Sequence, residues 1–248
     1  MIVLKSPDEI KRMADASLIV AEVLEEIRKS ISPGITTKDL DGLAEAYILS
    51  KKAKPAFKGY RGYPASVCAS INEQVVHGIP SKVKLNQGDI LSIDVGVQFN
   101  GFFGDAAVTL PVGNISSQAK RLLSVTESSL EAGLEKALAG NRLSDISSMI
   151  QNCAESEGFS VVRSFVGHGI GRGLHEEPQI PNFGKPGEGP RLLEGMTLAI
   201  EPMINAGGWE VTIQGDGWTA VTKDGSLSAH FEHTIAITKN GPCILTKL

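Results

Sequence analysis

Cysteine is scarce in this chain of 248 residues: Cys68, Cys153 and Cys243 are odd in number and far apart. That spacing excludes a disulfide framework and suits a reducing compartment, so a cytoplasmic setting is expected. A charge excess is lacking too. Lys and Arg total 24 against 28 Asp and Glu, and a formal net charge of −4 gives no basic field for nucleic acid. No apolar run approaches the length of a membrane span. The opening stretch, MIVLKSPDEIKRM, has neither a secretory nor a transit character. What is present is a chain long enough for a substantial core, as one large domain or two small halves.

Helical signals come in two pairs. Ser6 to Glu9 (SPDE) reads as a capping box with Pro7 at the first helical position. Ile10, Met13, Ala14, Ser17, Val20, Ala21 and Leu24 then follow helical spacing. A second helix opens in SPGITTKDL, with Leu40, Leu43, Ala44, Tyr47 and Ile48 on one face. Two more follow Ser117 and Ser144, the second ending at Gly158, and beyond Val161 the chain reads mostly as strands and loops. Cys153, on that last helix, is expected in the core.

The halves also match each other. Aligning PGITTKDL (33–40) with AGNRLSDI (139–146) puts Gly34 on Gly140 and Asp39 on Asp145. Aligning LNQGDILSID (85–94) with LLEGMTLAIE (192–201) puts Gly88 on Gly195 and Asp94 on Glu201. Asp105 corresponds more loosely to Glu232, after an insertion in the second half. We therefore expect a single domain over 1–248, built from halves at about 1–113 and 114–248 around a pseudo-twofold axis.

The segment LSIDVGVQFNGFFGDAAV (91–108) raises the chemical question. Asn-Gly between two alternating stretches predicts a two-residue hairpin turn. Asn100 and Gly101 at the turn put Gly96 opposite Asp105 and Ala107 opposite Asp94. The two aspartates then share a face as a diagonal pair, about 7–8 Å apart at the backbone. Glu201 shares a face with Thr197 and Ala199, and Glu232 with His230, Thr234 and Ala236, while His233 points away. Burying such acids bare is costly. One histidine, His168, stands in the glycine-rich VGHGIGRGLHEEP, where no GK[ST] follows to make a phosphate loop. Four carboxylates and one imidazole fit two divalent cations with a hydroxide between them, the ions about 3.5–4 Å apart. Oxygen-rich ligation without thiolate suits manganese, iron or cobalt better than structural zinc.

The stretches IDVGVQFNGFFGDAA, FVGHGIGRGLHEEPQIPNF, GMTLAIEPM and FEHTIAIT resemble the motifs of type I methionine aminopeptidases, through nearly the whole chain and including FKGYRGYPASVCASINEQVVHGIP. The resemblance implies the pita-bread fold, an α+β arrangement of helices and antiparallel strands around a central metal site. It implies a dinuclear centre of Asp94, Asp105, His168, Glu201 and Glu232, with Asp94 chelating one cation and Asp105 and Glu232 bridging. By the same resemblance His77 and His175 serve the substrate, and Tyr60, Tyr63, Cys68 and Trp218 form a methionine pocket. Leu174 stands where many relatives have an aromatic residue.

The implied activity is removal of the initiator methionine from nascent polypeptide N-termini when the second residue is small. A water acidified by the two cations would lose a proton to give the hydroxide that attacks the first peptide carbonyl, and Glu201 would carry a proton to the leaving amine. Xaa-Pro peptidases, which usually carry a separate amino-terminal domain, and non-catalytic binding modules for RNA or protein are the rival readings within the fold. A monomer is expected, with no membrane or specific nucleic-acid partner. Transient ribosome association is compatible with the activity, but the insertion NAGGWEVTIQGDGWT has too little positive charge to dock on RNA electrostatically.

Overall fold

A computed structural model describes residues 1–247. The first half holds helices α1 (Pro7–Ser30) and α2 (Thr37–Ser50) and strands β1 (Lys54–Pro55), β2 (Cys68–Ile71), β3 (Gln74–Val76), β4 (Ile90–Phe99) and β5 (Phe102–Pro111). The second holds α3 (Ser117–Leu134), α4 (Leu143–Ser156), β6 (Ser160–Val161), β7 (Gly167–Gly169), β8 (Glu176–Ile180), β9 (Thr197–Ile200) and β10 (Met203–Asn205). It continues through β11 (Val211–Ile213), β12 (Ala220–Thr222), β13 (Ser228–His230), β14 (His233–Thr238) and β15 (Gly241–Ile244). Among the described residues no helix is long and apolar enough to cross a membrane.

Local chemistry accounts for the helix starts. Ser6 Oγ accepts from the Glu9 N–H, and the Glu9 carboxylate accepts from the Ser6 N–H at 2.9 Å. Thr36 and Asp39 repeat the exchange at α2, and Asp145 accepts from the Arg142 N–H at α4. The linkers that follow also correspond. Gly34 N–H donates to the Leu85 carbonyl and Gly140 N–H to that of Leu192. Both glycines have φ near +96°, a conformation that a side chain would strain.

The hairpin of β4 and β5 has the register the alternation predicts. Phe99 pairs with Phe102, Gly96 with Asp105 and Asp94 with Ala107. Asn100 and Gly101 both have positive φ, 49° and 82°, as a type I′ turn requires. One face of β4, with Leu91, Ile93, Val95 and Val97, packs under α1 and α2. Leu198, Ile200, Ile235 and Ile237 of β9 and β14 pack in the same way under α3 and α4. A third, smaller cluster joins Met13, Phe57, Tyr63, Cys68, Leu174 and Ala236 between the two sheets.

Two threonines stitch the halves together. Thr234 Oγ1 accepts from the Asp105 N–H at 3.1 Å and donates to the Asp105 carbonyl at 2.7 Å. Thr109 Oγ1 does the same for His230, at 2.8 and 2.9 Å. Here the structure departs from the expectation that His230, Glu232, Thr234 and Ala236 share the face of one strand. The ladder breaks at Phe231 and Glu232, because β13 pairs with β10 whereas β14 pairs with β9. At the break the Glu232 N–H crosses to the Ala107 carbonyl, 2.9 Å away. Cys153 is a second difference: it is half-buried on α4 rather than in the core. The insertion forms the β11–β12 hairpin, and the basic run 51–61 is partly neutralised by Lys51–Glu22 and Lys58–Glu45 pairs.

Candidate active site and metal centre

Asp94 sits mid-strand on β4, flanked by Ala107 of β5 and Cys68 of β2. Asp105 projects from β5 and His168 from β7, opposite Ala199. Glu201 follows the end of β9, and Glu232 occupies the break before β14. Different strands of both halves thus deliver the five side chains to one place. His168 Nε2 lies 3.9 Å from Asp105 Oδ2 and 3.6 Å from Glu201 Oε1. Ligand atoms of Asp105, His168 and Glu232 all lie within 4.8 Å of one another.

Electrostatics makes this cluster unstable by itself. Asp94 Oδ1, Asp105 Oδ1 and Glu232 Oε1 are buried without a hydrogen-bond partner. Among the described residues, no Lys or Arg pairs with any of the four carboxylates; the rings of His168 and His230 approach Asp105 and Glu201 at 3.6–3.9 Å without supplying a charge. Burial, and then the neighbouring carboxylates, hold Asp105, Glu201 and Glu232 well above the usual carboxylate range. Asp94 is raised by burial as well. Orphaned acceptors of this kind fit cations. The imidazole fits too: His168 Nδ1 lies 2.9 Å from the Gly169 carbonyl, an acceptor, so Nδ1 carries the proton and Nε2 offers its lone pair to the cluster. Burial keeps that ring neutral.

The five residues line a cavity of about 150 Å³, and Tyr60, Tyr63, Cys68, His77, His175 and Trp218 line it with them. The metal-ligand, substrate and pocket residues named by the resemblance thus all line one cavity. Tyr63 OH reaches the Gly78 carbonyl at 2.9 Å, and its ring meets Trp218 edge-on at 5.1 Å. Asp216 Oδ1 accepts from the Trp218 and Thr219 N–H groups, which holds the turn carrying Trp218. His77, just past β3, has φ +61° and is pushed towards neutrality by burial. His175 stands at the rim, stacked on Tyr60, with Nδ1 2.9 Å from the tyrosine hydroxyl. The surrounding protein, and then His168, push its pKa down. Its neighbour Glu176 is occupied elsewhere, binding the buried Lys5 ammonium and the Gly173 N–H. Leu174 is buried behind the wall, packed in the cluster with Phe57 and Tyr63.

Three participants were not singled out. Phe57 and Arg61 line the cavity, and Asn182 Nδ2 donates to the Glu201 carbonyl at 3.0 Å. His233 lies away from the cluster, its Nδ1 2.9 Å from Thr246 Oγ1.

The profile of metallopeptidase family M24 matches residues 11–239. Methionine aminopeptidase 1 of Bacillus subtilis (strain 168) is 56% identical over 248 residues, with 100% of both chains covered. The chain belongs to metallopeptidase family M24, among the methionine aminopeptidases. The crystal structure of methionine aminopeptidase from Thermotoga maritima matches with a TM-score of 0.98 at 53% identity, covering 100% of each chain. A prolidase from Pyrococcus horikoshii shares the fold, with a TM-score of 0.82 at 24% identity over 64% of its own length. The pita-bread fold is thus the architecture of this chain, and membership of a metallopeptidase family supports the use of divalent metal.

Proposed function

We propose that the chain is a cytoplasmic methionyl aminopeptidase that removes the initiator methionine from nascent polypeptides with a small second residue. The carrying observation is the cluster of buried, unpartnered carboxylates at one end of a small, largely apolar cavity. We propose Asp94, Asp105, His168, Glu201 and Glu232 as holders of two divalent cations of the manganese, iron or cobalt type. When bound, these supply Lewis acidity for the scissile carbonyl and acidify a water near neutral pH.

The chain's own residues do the rest. Tyr60, Tyr63, Cys68 and Trp218 enclose the methionine side chain. A shape mismatch of one methylene there discriminates by about 1–3 kcal/mol. The Tyr60 hydroxyl donates to His175 Nδ1, so that the neutral ring keeps its proton on Nε2 and offers it to the carbonyl oxygen as charge develops. His77, which lines the same cavity, serves the substrate beside it. Glu201 accepts the proton released by the nucleophile and delivers it to the leaving amine. The two halves, 1–113 and 114–248, work as a single catalytic domain because each supplies part of this set. The protein acts as a monomer, and any contact with the ribosome is transient.

Hydrolysis of Met-Gly-Ser and Ala-Pro-Ser peptides, side by side in manganese, iron and cobalt, tests the reading. Cleavage confined to the methionine peptide and abolished by chelation is expected. Cleavage of Ala-Pro-Ser, or full activity after thorough removal of metal, would overturn it.

A further inference from the structure

Two imidazoles flank Glu201, and the metal-centre reading uses only one. His168 Nε2 faces Oε1 at 3.6 Å, while His230 Nε2 faces Oε2 at 3.7 Å. His230 is 1% exposed, and its Nε2 has no hydrogen-bond partner. A buried polar atom left so is costly and is rare in folded proteins. Nor is the residue free to withdraw. Its N–H and carbonyl are both tied to Thr109 Oγ1, and it pairs with Met203 across β10. The backbone thus holds an unpartnered ring nitrogen in front of the carboxylate proposed to bind metal and to carry the proton.

We propose that His230 is a positioning residue for Glu201. Its Nε2–H donates to Oε2, which leaves Oε1 to face His168 and a bound cation. The present separation is longer than a hydrogen bond. The terminal torsion of a glutamate is broad, however, so a modest turn of the carboxylate closes the gap. A donor on one oxygen decides which oxygen meets the ion, and outer partners of this kind typically change metal affinity 10–100-fold. His230 touches neither substrate nor metal in this scheme. The proposal rests on the metal-centre reading above.

The experiment compares wild type, His230→Gln and His230→Leu by manganese calorimetry, melting in chelator, and kcat and KM on a methionine peptide. Glutamine keeps an N–H donor; leucine keeps bulk alone. For leucine, manganese affinity should fall about 10–100-fold and kcat should fall with KM little changed, while melting in chelator stays at or above wild type. Glutamine should recover most of both losses. Wild-type affinity and kcat in the leucine variant, or equal defects in both variants, would overturn the proposal. A wild type that binds no manganese would instead overturn the metal centre itself. If the leucine variant does not fold, nitrogen-15 NMR of histidine-labelled, zinc-loaded wild type decides. A protonated, slowly exchanging His230 Nε2 is expected, and an unprotonated one cannot donate and refutes the role.

Discussion

Replacing Glu232 with glutamine should stabilise the metal-free protein, although it removes a residue proposed to hold metal. Glu232 is 2% exposed, and burial, then Glu201 and Asp94, raise its pKa well above the ordinary value. In the unfolded chain a glutamate loses its proton near pH 4.3, whereas the folded chain retains it to higher pH. The folded state therefore binds more protons, and stability falls as pH rises above the unfolded pKa. Each pH unit costs about 1.4 kcal/mol, so the ceiling at pH 7.5 is about 4 kcal/mol. Because the four acids share the repulsion, a gain of about 1–4 kcal/mol is expected from one substitution. For a chain of this size that is roughly 2–4 °C in melting temperature per kcal/mol. The difference should vanish near pH 4 and open towards pH 7.5. The histidines lowered by burial act in the opposite sense, but both proteins carry them and their effect cancels. Manganese at a hundred times its dissociation constant should add about 2.7 kcal/mol to wild type and less to the variant. Calorimetric melting at pH 5, 6 and 7.5, with chelator and with manganese, reads the whole pattern. A variant that melts below wild type in chelator throughout that range would refute the reasoning.

Loss of His175 should cut turnover by about 10²–10³ and leave manganese affinity and melting near wild type; lost metal would make it a ligand, and normal turnover would remove it from the chemistry. Tyr60→Phe should lower kcat by a smaller factor and should not add to His175→Ala, because the hydroxyl acts through that ring; a fully additive double variant would contradict the link. A methyl group at Gly96 would lie 2.5 Å from Phe57 Cε1 and 3.0 Å from Ala56 Cβ. Gly96→Ala should therefore cost about 1–3 kcal/mol and raise KM for methionine peptides, since Phe57 lines the cavity; unchanged melting and KM would show that the wall yields freely.

What could be read from the chain alone was whatever local rules decide. A period of two and an Asn-Gly turn leave one register open to β4 and β5, and capping pairs mark the helix starts. Asp94 and Asp105 were visible because carboxylates inside apolar strands contradict burial. Tyr60, Tyr63, Cys68, His77 and Trp218 carried no such contradiction and came forward only through resemblance. Phe57 and Arg61 were invisible for a tertiary reason: Arg61, at φ +50°, sits in a short irregular turn that only packing brings to the cavity. The break at Phe231 and Glu232 depends on a change of sheet partner, which alternation cannot register. His230 was placed on the right face, but nothing short of the fold shows which carboxylate it meets. Cys153 was misplaced because helical spacing alone does not settle how deeply a residue on the edge of an apolar face is buried.

The threonine seam also sets when the site can exist. Its hydrogen bonds join residues 129 and 121 positions apart, so each closes a loop of about half the chain. Contacts of such sequence separation incur their closure entropy before packing rewards them, and they slow folding. Glu232 follows Asp105 by 127 positions, on the late side of that seam. A chain still being synthesised can form the first helix pair and the β4–β5 hairpin, but it cannot gather the acids of both halves until its last strands have emerged. Any metal loading then waits until both halves have been made, and two separately expressed halves should regain activity only where they meet and close the seam.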